Sequence, residues 1–421
     1  MSRLPVALDG DIVKAQVEPL DGMTVGFSAA RVKNRATGYH ATTRITLNGQ
    51  LLAGDLLNFE KHAQRKTLSN DAHAMMPEAL RETYGKLFLK RDLDEFCEQI
   101  WPVYNQQFQA RRVAGDPDTS TEWFCPPLIM KEGKTILFGN KGSGKSMTAL
   151  AAAISVEHGM SNYWGPIEMA TPLYINLERG ERSMRRRLGR INRAIGLDPY
   201  EDLLMLTALG YSLDNIYDSA RAAMKGNDVQ VVFLDSLSRT QSGNMNDNEP
   251  ANAVMDMLSA LSDTWVAVAH QTAPEGGKPK VFGSQMYEAA ADVVVRLTGD
   301  QQGESLGVSM EITKANDTQL GQQKIMAYQF NGTGLEGITN ATLKDYPDLD
   351  QKALTAADKI ELFISNTANV RSTASEISTA LGIDPSNVTK TLIRQARRFV
   401  KLPKDGKEQP YGLVSNSVER G

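Results

Sequence analysis

The run Gly139-Asn140-Lys141-Gly142-Ser143-Gly144-Lys145-Ser146 constrains what this chain can fold into more than any other segment. It follows the apolar stretch Thr135-Ile136-Leu137-Phe138, which reads as a buried strand. It precedes Met147-Thr148-Ala149-Leu150-Ala151-Ala152-Ala153-Ile154, which reads as a helix. Glycines between a strand and a helix let the backbone wrap an anionic group, so that successive N–H groups and the helix N-terminus face the charge. Lys145 then supplies a cation for the outer phosphates of a nucleotide, and the Ser146 hydroxyl one ligand of a magnesium ion. The expected nucleotide-binding residues are therefore Gly139, Asn140, Lys141, Gly142, Ser143, Gly144, Lys145, Ser146 and Met147.

From about residue 134 to 330, short β-rich runs alternate with helical segments, the pattern of a parallel sheet covered by helices. Strands are expected at residues 134–138, 173–177, 203–208, 230–234 and 265–269, with 293–297, 308–313 and 324–330 continuing the sheet. Val231-Val232-Phe233-Leu234-Asp235 is an apolar strand ending in a carboxylate, which places Asp235 with Ser146 as a metal-binding residue. Leu173-Tyr174-Ile175-Asn176-Leu177 ends in Glu178, at the strand end where open α/β sheets bind ligands, and a carboxylate there can polarise an attacking water. The arginine-rich run Arg182, Arg185, Arg186, Arg187, Arg190 and Arg193 follows on a helix. It reads as a solvated face, with nucleotide sensing or a subunit contact as the alternatives.

Residues 126–330 resemble the RecA-like ATPases of the RepA and DnaB type, most closely the RepA-like group common in phages and mobile elements. The blocks that carry the resemblance, besides the glycine-rich loop, are Leu173 to Gly180, Val232 to Leu237 followed by Asn246-Asp247-Asn248-Glu249, Val266-Ala267-Val268-Ala269-His270-Gln271, and Gly283-Ser284 leading to Ala289-Ala290-Ala291-Asp292-Val293-Val294. The resemblance implies an α/β RecA-like P-loop core with a parallel-rich central sheet, ATP and Mg²⁺ as cofactors, and hydrolysis of ATP with Glu178 as general base. It also implies that His270-Gln271 ends the strand that senses the γ-phosphate, although the family usually shows paired histidines there. In hexameric relatives a Lys-x-Arg pair reaches into the neighbouring subunit's ATP. Here the matching stretch is Lys314-Ala315-Asn316-Asp317, so Lys314 is the expected cation and Asn316 stands where the helicases have arginine.

Beyond a polar, proline-containing stretch at residues 344–350, the chain changes character. Helices are expected at 355–364, at 373–383 and from about 385, with Ile377, Leu381, Ile383, Val388 and Leu392 at the spacing that packs a helix-turn-helix. The segment resembles winged-helix domains, with Gly412-Leu413-Val414 as the returning strand. Its third helix is expected to carry Lys390, Arg394, Arg397 and Arg398 as a DNA-binding surface. Ser386, Asn387 and Thr389 at the helix start suit base edges, and Ser386 equally suits an N-cap. Residues 351–421 carry eleven Lys+Arg against seven Asp+Glu, whereas the whole chain has a net charge of −4. A basic tail on an acidic body points to a polyanionic partner.

The first hundred residues hold one clear hairpin, 42–47 and 50–52 joined by Asn48-Gly49, and helical signals from Pro77 to Tyr104. No acid occurs between Gly22 and Gly54, where Arg31, Lys33, Arg35, Tyr39, His40 and Arg44 lie; the window suits a solvated strand face, a subunit contact or a nucleic-acid groove. No apolar run reaches the ~20 residues of a membrane span, no signal peptide opens the chain, and the two cysteines, Cys97 and Cys125, form no CxxC pair. The sequence thus predicts a cytoplasmic protein without membrane contact, built of an α+β domain at 1–115, a RecA-like ATPase at 120–343 and a winged helix-turn-helix at 352–416. Its expected work is that of a DNA-associated ATPase, acting on single- or double-stranded DNA as a hexameric ring or filament of helicase type. An ATP-switched DNA-binding regulator with little turnover is the alternative, and a small-molecule kinase lacks a visible lid or acceptor pocket.

Overall fold

Alternating apolar residues curl the start of the chain into an antiparallel meander. In the computed structural model, which describes residues 4–118, 120–240, 244–272, 279–317, 323–346, 348–349, 356–365, 367, 371–404 and 409–414, two compact units appear, Met1–Pro117 and Asp118–Gly421. The first unit holds β1 (Val6–Asp9), β2 (Ile12–Leu20), β3 (Met23–Arg35), β4 (Gly38–Leu47) and β5 (Gln50–Asn58), paired in sequence order. The expected turn joins β4 to β5 with Asn48 at φ 48° and Gly49 at φ 83°, as a two-residue hairpin requires. Helices α1 (His62–Ala74), α2 (Glu78–Thr83) and α3 (Lys86–Asn105) follow. Leu89, Leu93, Phe96 and Ile100 of α3 share one core with Val13, Val25, Phe27, Ala41, Ile45 and Leu57 of the sheet. Lys33, Arg35 and Arg44 of the acid-free window are exposed, while the Tyr39 ring turns inward onto Trp101, with centroids 4.3 Å apart. Both cysteines are buried and unpaired, as small core residues.

The second unit begins with a small hairpin, β6 (Trp123–Cys125) and β7 (Ile129–Met130). Then strands and helices alternate: β8 (Lys134–Gly139), α4 (Lys145–His158), β9 (Pro172–Asn176), α5 (Glu181–Ile195), β10 (Met205–Thr207), α6 (Leu213–Asn227), β11 (Val231–Asp235), α7 (Asn248–Leu261), β12 (Trp265–Thr272), β13 (Lys280–Val281) and α8 (Met286–Ala290). Four long strands complete the sheet: β14 (Val293–Gln302), β15 (Ser305–Ala315), β16 (Gln323–Asn331) and β17 (Gly334–Asn340). The sheet order is β10-β9-β11-β12-β8-β14-β15-β16-β17. Pairing is parallel from β10 to β14 and antiparallel from β14 to β17. The fold is therefore mixed α/β around a mixed sheet.

The core strands are continuous apolar runs because both faces are covered, one by α4 and α5 and the other by α6 and α7. Parallel register brings the carboxyl ends of β8, β9, β11 and β12 to one edge, with His270 opposite Gly139 and Asp235 opposite Asn176. The polar stretch after β17 does not leave the sheet at once. Tyr346 and Leu349 pack with Ile325 and Ala327, and the Tyr346 ring lies over Gly307, where a Cβ would come within 2.4 Å of it.

The last part of the chain has its own core of Ala357, Ile360, Ile364, Ile377, Val388, Leu392, Phe399, Tyr411 and Leu413. It is formed by α9 (Ala356–Ser365), β18 (Arg371–Thr373), α10 (Ala374–Leu381), α11 (Pro385–Arg394), β19 (Phe399–Lys401) and β20 (Pro410–Leu413), with strand order β18-β20-β19. Thr373 and Glu376 close a capping box at the start of α10: the Thr373 N–H donates to Glu376 Oε2 at 2.8 Å, and the Glu376 N–H to Thr373 Oγ1 at 3.3 Å. The N-cap of α11 is Asp384, which accepts from the Ser386 N–H at 2.9 Å and from the Ser386 hydroxyl. Ser386 is thus neither cap nor a free reader, but a residue whose hydroxyl is turned to Asp384. Among the described residues, no helix is long and apolar enough to cross a membrane.

Candidate nucleotide site

The loop between β8 and α4 is built around glycines that no other residue replaces without strain. Gly142 and Gly144 both sit at φ +83°, and a Cβ on Gly144 would lie 2.7 Å from Val308 Cγ2. On Gly139 a Cβ would meet the Leu297 carbonyl at 2.2 Å, so β8 and β14 approach too closely for a side chain there. Lys145, buried at the first turn of α4, folds back and donates to the carbonyls of Gly139 at 2.9 Å and Asn140 at 2.7 Å. Burial lowers its pKa, against which the charges of Glu178 and Asp235 pull it upward.

Next to Lys145, the Ser146 hydroxyl donates to Asp235 Oδ1 at 3.1 Å, which joins the two expected metal-binding residues. The other oxygen, Oδ2, accepts from the Tyr174 hydroxyl at 3.0 Å. Burial and the neighbouring Glu178 carboxylate raise the Asp235 pKa, a cost that a divalent cation beside it would remove. Glu178 stands just past β9, in a turn braced by Asn176, whose Oδ1 accepts from the N–H groups of Glu178 at 3.3 Å and Arg179 at 3.1 Å. The Ser236 hydroxyl donates to Glu178 Oε1, the Ser238 hydroxyl reaches it at 3.4 Å, and His270 Nε2 lies 3.7 Å away.

These groups enclose a cavity of about 310 Å³ lined by Lys141, Gly142, Gly144 to Met147, Glu178, Arg179, Arg187, Asp235, Ser236 and Val268 to His270. Its cations and glycine cradle fit a polyphosphate. Its oxygen donors, Ser146 and Asp235, fit a hard divalent ion that takes its remaining ligands from phosphate and water. Among the described residues, no cluster of three or more metal-ligating side chains exists that would hold a metal alone. A larger open hollow of about 880 Å³ lies at the opposite, amino edge of the parallel strands. It has neither a glycine loop nor a helix start, and its one cation, Lys131, is paired with Glu122 and Glu168 at 2.9 and 2.7 Å.

Arg187 belongs to the site although its helix reads as solvated. Its guanidinium is largely buried beside Tyr174, Asp235 and Glu178, its Nη1 has no hydrogen-bond partner among the described residues, and burial followed by the nearby Arg179 lowers its pKa. A desolvated cation left unsatisfied at the mouth of a phosphate loop is a site for an anion. The remaining arginines of the run, Arg182, Arg185, Arg186, Arg190 and Arg193, are exposed. The helical phase carried the signal, because Arg187 lies three residues after buried Met184 and four before buried Ile191.

Other expected residues lie elsewhere. Gln271 pairs with Val281 of β13, outside the cavity lining, whereas His270 enters it. Lys314 is at the amino edge of the sheet, opposite Val294, where its Nζ donates to the carbonyls of Glu288 at 2.7 Å, Ala289 at 3.3 Å and Ala291 at 2.6 Å. It therefore caps the end of α8 and does not approach its own chain's loop. Asn316 Nδ2 donates to Asp292 Oδ1 at 2.9 Å.

The basic residues near the C-terminus are also redistributed. Helix α11 stops at Arg394, so Arg397 and Arg398 occupy the turn that follows, where the Gln395 N–H returns to the Thr391 carbonyl. Lys390, Arg394 and Arg397 are exposed, while the Arg398 guanidinium is held by Glu361 of α9.

No curated protein matches the chain. A family model described as an AAA domain matches residues 103–276, less than half of the chain but a span that contains the loop, Glu178, Arg187, Asp235 and His270. Residues 103–276 are thus similar to AAA-type domains, and the glycine loop, Lys145, Ser146 and Asp235 within that span suit nucleotide binding and hydrolysis.

Proposed function

We propose that this chain is a DNA-associated ATPase with a RecA-like core of the RepA and DnaB kind, hydrolysing ATP to ADP and phosphate as a helicase or helicase-like motor in replication or recombination of a mobile element. The observation that carries the reading is the convergence of Lys145, Ser146, Asp235, Glu178 and Arg187 on one cavity at the carboxyl edge of parallel strands. Backbone N–H groups from Lys141 to Ser146 and the start of α4 hold the phosphates, with Lys145 and Arg187 as side-chain cations. Ser146 and Asp235 would hold Mg²⁺, which would supply charge neutralisation for the phosphates. Glu178, oriented by Ser236 and the Asn176-braced turn, accepts the proton of the attacking water, and His270 beside it reports on the outer phosphate.

The last part of the chain is read as a winged helix-turn-helix that meets DNA phosphates through Lys390, Arg394 and Arg397, the Arg398–Glu361 pair tying the turn after α11 to α9. Assembly into a ring or filament brings Lys314 toward a neighbour's nucleotide. One observation favours the second reading, an ATP-switched DNA-binding regulator with little turnover. Lys314 is already engaged by three carbonyls, and Asn316 cannot supply the positive charge of an arginine finger. Turnover measured with and without single- and double-stranded DNA, alongside particle size in ATP, separates the two. A motor shows DNA-stimulated phosphate release from an assembled particle, and a switch shows slow release that DNA leaves unchanged.

A further inference from the structure

We propose that Tyr174 is a positioning residue for the metal-binding carboxylate: its hydroxyl fixes the plane of Asp235 and so sets how tightly the site takes up a divalent cation with its nucleotide. The inference rests on the nucleotide-site reading above and deepens it.

Tyr174 in β9 is the register partner of Phe233 in β11, and Asp235 lies two residues further along β11 on the same face. Two residues of strand span about 6.6 Å, close to the reach of a tyrosine from Cα to hydroxyl, so this side chain ends at the carboxylate. The rings of Tyr174 and Phe233 stack at 5.9 Å with planes 16° apart, which fixes the direction of the phenol. Tyr174 is fully buried, Asp235 is 1% exposed, and the Tyr174 hydroxyl donates to Asp235 Oδ2 at 3.0 Å.

The opposite oxygen, Oδ1, faces Ser146 at 3.1 Å, on the side of the loop. A carboxylate held at one oxygen by a buried donor cannot rotate about its terminal bond. The other oxygen therefore stays directed at the place where Ser146 and the outer phosphates converge on a cation. Phenylalanine at 174 keeps the ring, the stack and the packing, and removes only the donor.

The test uses the full chain carrying Tyr174→Phe and reads binding of a fluorescent ATP analogue while Mg²⁺ or Mn²⁺ is titrated, with EDTA as the metal-free reference. The expected result is a five- to tenfold rise in the metal concentration at half-saturation, unchanged nucleotide affinity in EDTA, an unchanged melting temperature without ligand, and recovery at high Mg²⁺. In the Asp235→Asn background, the same Tyr174→Phe change is expected to leave the metal midpoint where it is, because the carboxylate it orients has gone. An identical metal midpoint in Tyr174→Phe and wild type overturns the proposal. So does an equal loss of affinity in EDTA, which marks a packing role, or a shift that persists beside Asp235→Asn. If wild type itself shows no metal-dependent nucleotide binding, the reading of the site fails rather than the role of Tyr174 alone.

Discussion

Arg187 and Glu178 bring a cation and a carboxylate to the same cavity, from α5 and from the end of β9. Glu178 was legible because an apolar strand ends just before it, and a carboxylate at that edge meets whatever the sheet binds. Arg187 was hidden among five other arginines, and only its phase with Met184 and Ile191 marked it as inward. Ser236, which orients Glu178, carried no signal because its contact crosses from the end of β11 to the turn after β9, while the brace from Asn176 is a local turn over residues 176–179. Glu178→Gln should keep nucleotide bound and lower hydrolysis by about 10²- to 10⁴-fold, since the amide fills the same space and accepts no proton; phosphate release in single-turnover experiments measures it. Arg187→Ala should weaken ATP binding by roughly tenfold or more while sparing the fold, because it removes a buried cation whose Nη1 has no hydrogen-bond partner among the described residues. Arg187→Lys should recover only part of that loss, having a point charge in place of a planar fork. Equilibrium binding of labelled ATP, with melting temperature as control, distinguishes these outcomes.

Elements were more legible where a period repeats. The alternating β and α runs around β8, β9, β11 and β12 stood out because buried parallel strands are continuously apolar. The expected strands at 293–297, 308–313 and 324–330 were placed, while β17 and the antiparallel sense of that edge depend on turns whose pairing is non-local. In the first unit, β1 to β3 were missed because their inward positions include small residues such as Ala15 and Ala29 among the larger Val13, Val25 and Phe27, and α1 because its inward residues, Leu68, Ser69 and Ala72, are few. Helix α11 was expected to run through Arg398 and ends at Arg394, where the chain turns back toward β19. Two substitutions test elements directly. Gly144→Ala should destabilise the loop by about 1–3 kcal/mol through left-handed strain and overlap with Val308, and should abolish nucleotide binding even where the fold survives. Thr373→Ala should cost about 1 kcal/mol by opening the capping box of α10, visible as a lower melting temperature of the C-terminal helices in circular dichroism.

For the molecule as a whole, separate hydrophobic cores matter more than chain order. The cluster around Ile360, Ile377 and Leu392 is distinct from those that hold the large sheet, so removal of residues 351–421 should leave ATP hydrolysis without DNA close to the full chain's rate. The same truncation should weaken DNA binding. Changing Arg394 and Arg397 to alanine should weaken it alike for all sequences and flatten the dependence of log affinity on log salt by about 0.9 per charge removed. Fluorescence anisotropy across a salt series reads both effects, and an unchanged slope would assign the basic turn to protein contacts instead.

Lys145 gives the loop one more property. Its ammonium is held by two neutral acceptors, the carbonyls of Gly139 at 2.9 Å and Asn140 at 2.7 Å. A cation held by neutral carbonyls keeps its whole charge for an anionic ligand, whereas one paired with a carboxylate would first have to give that partner up.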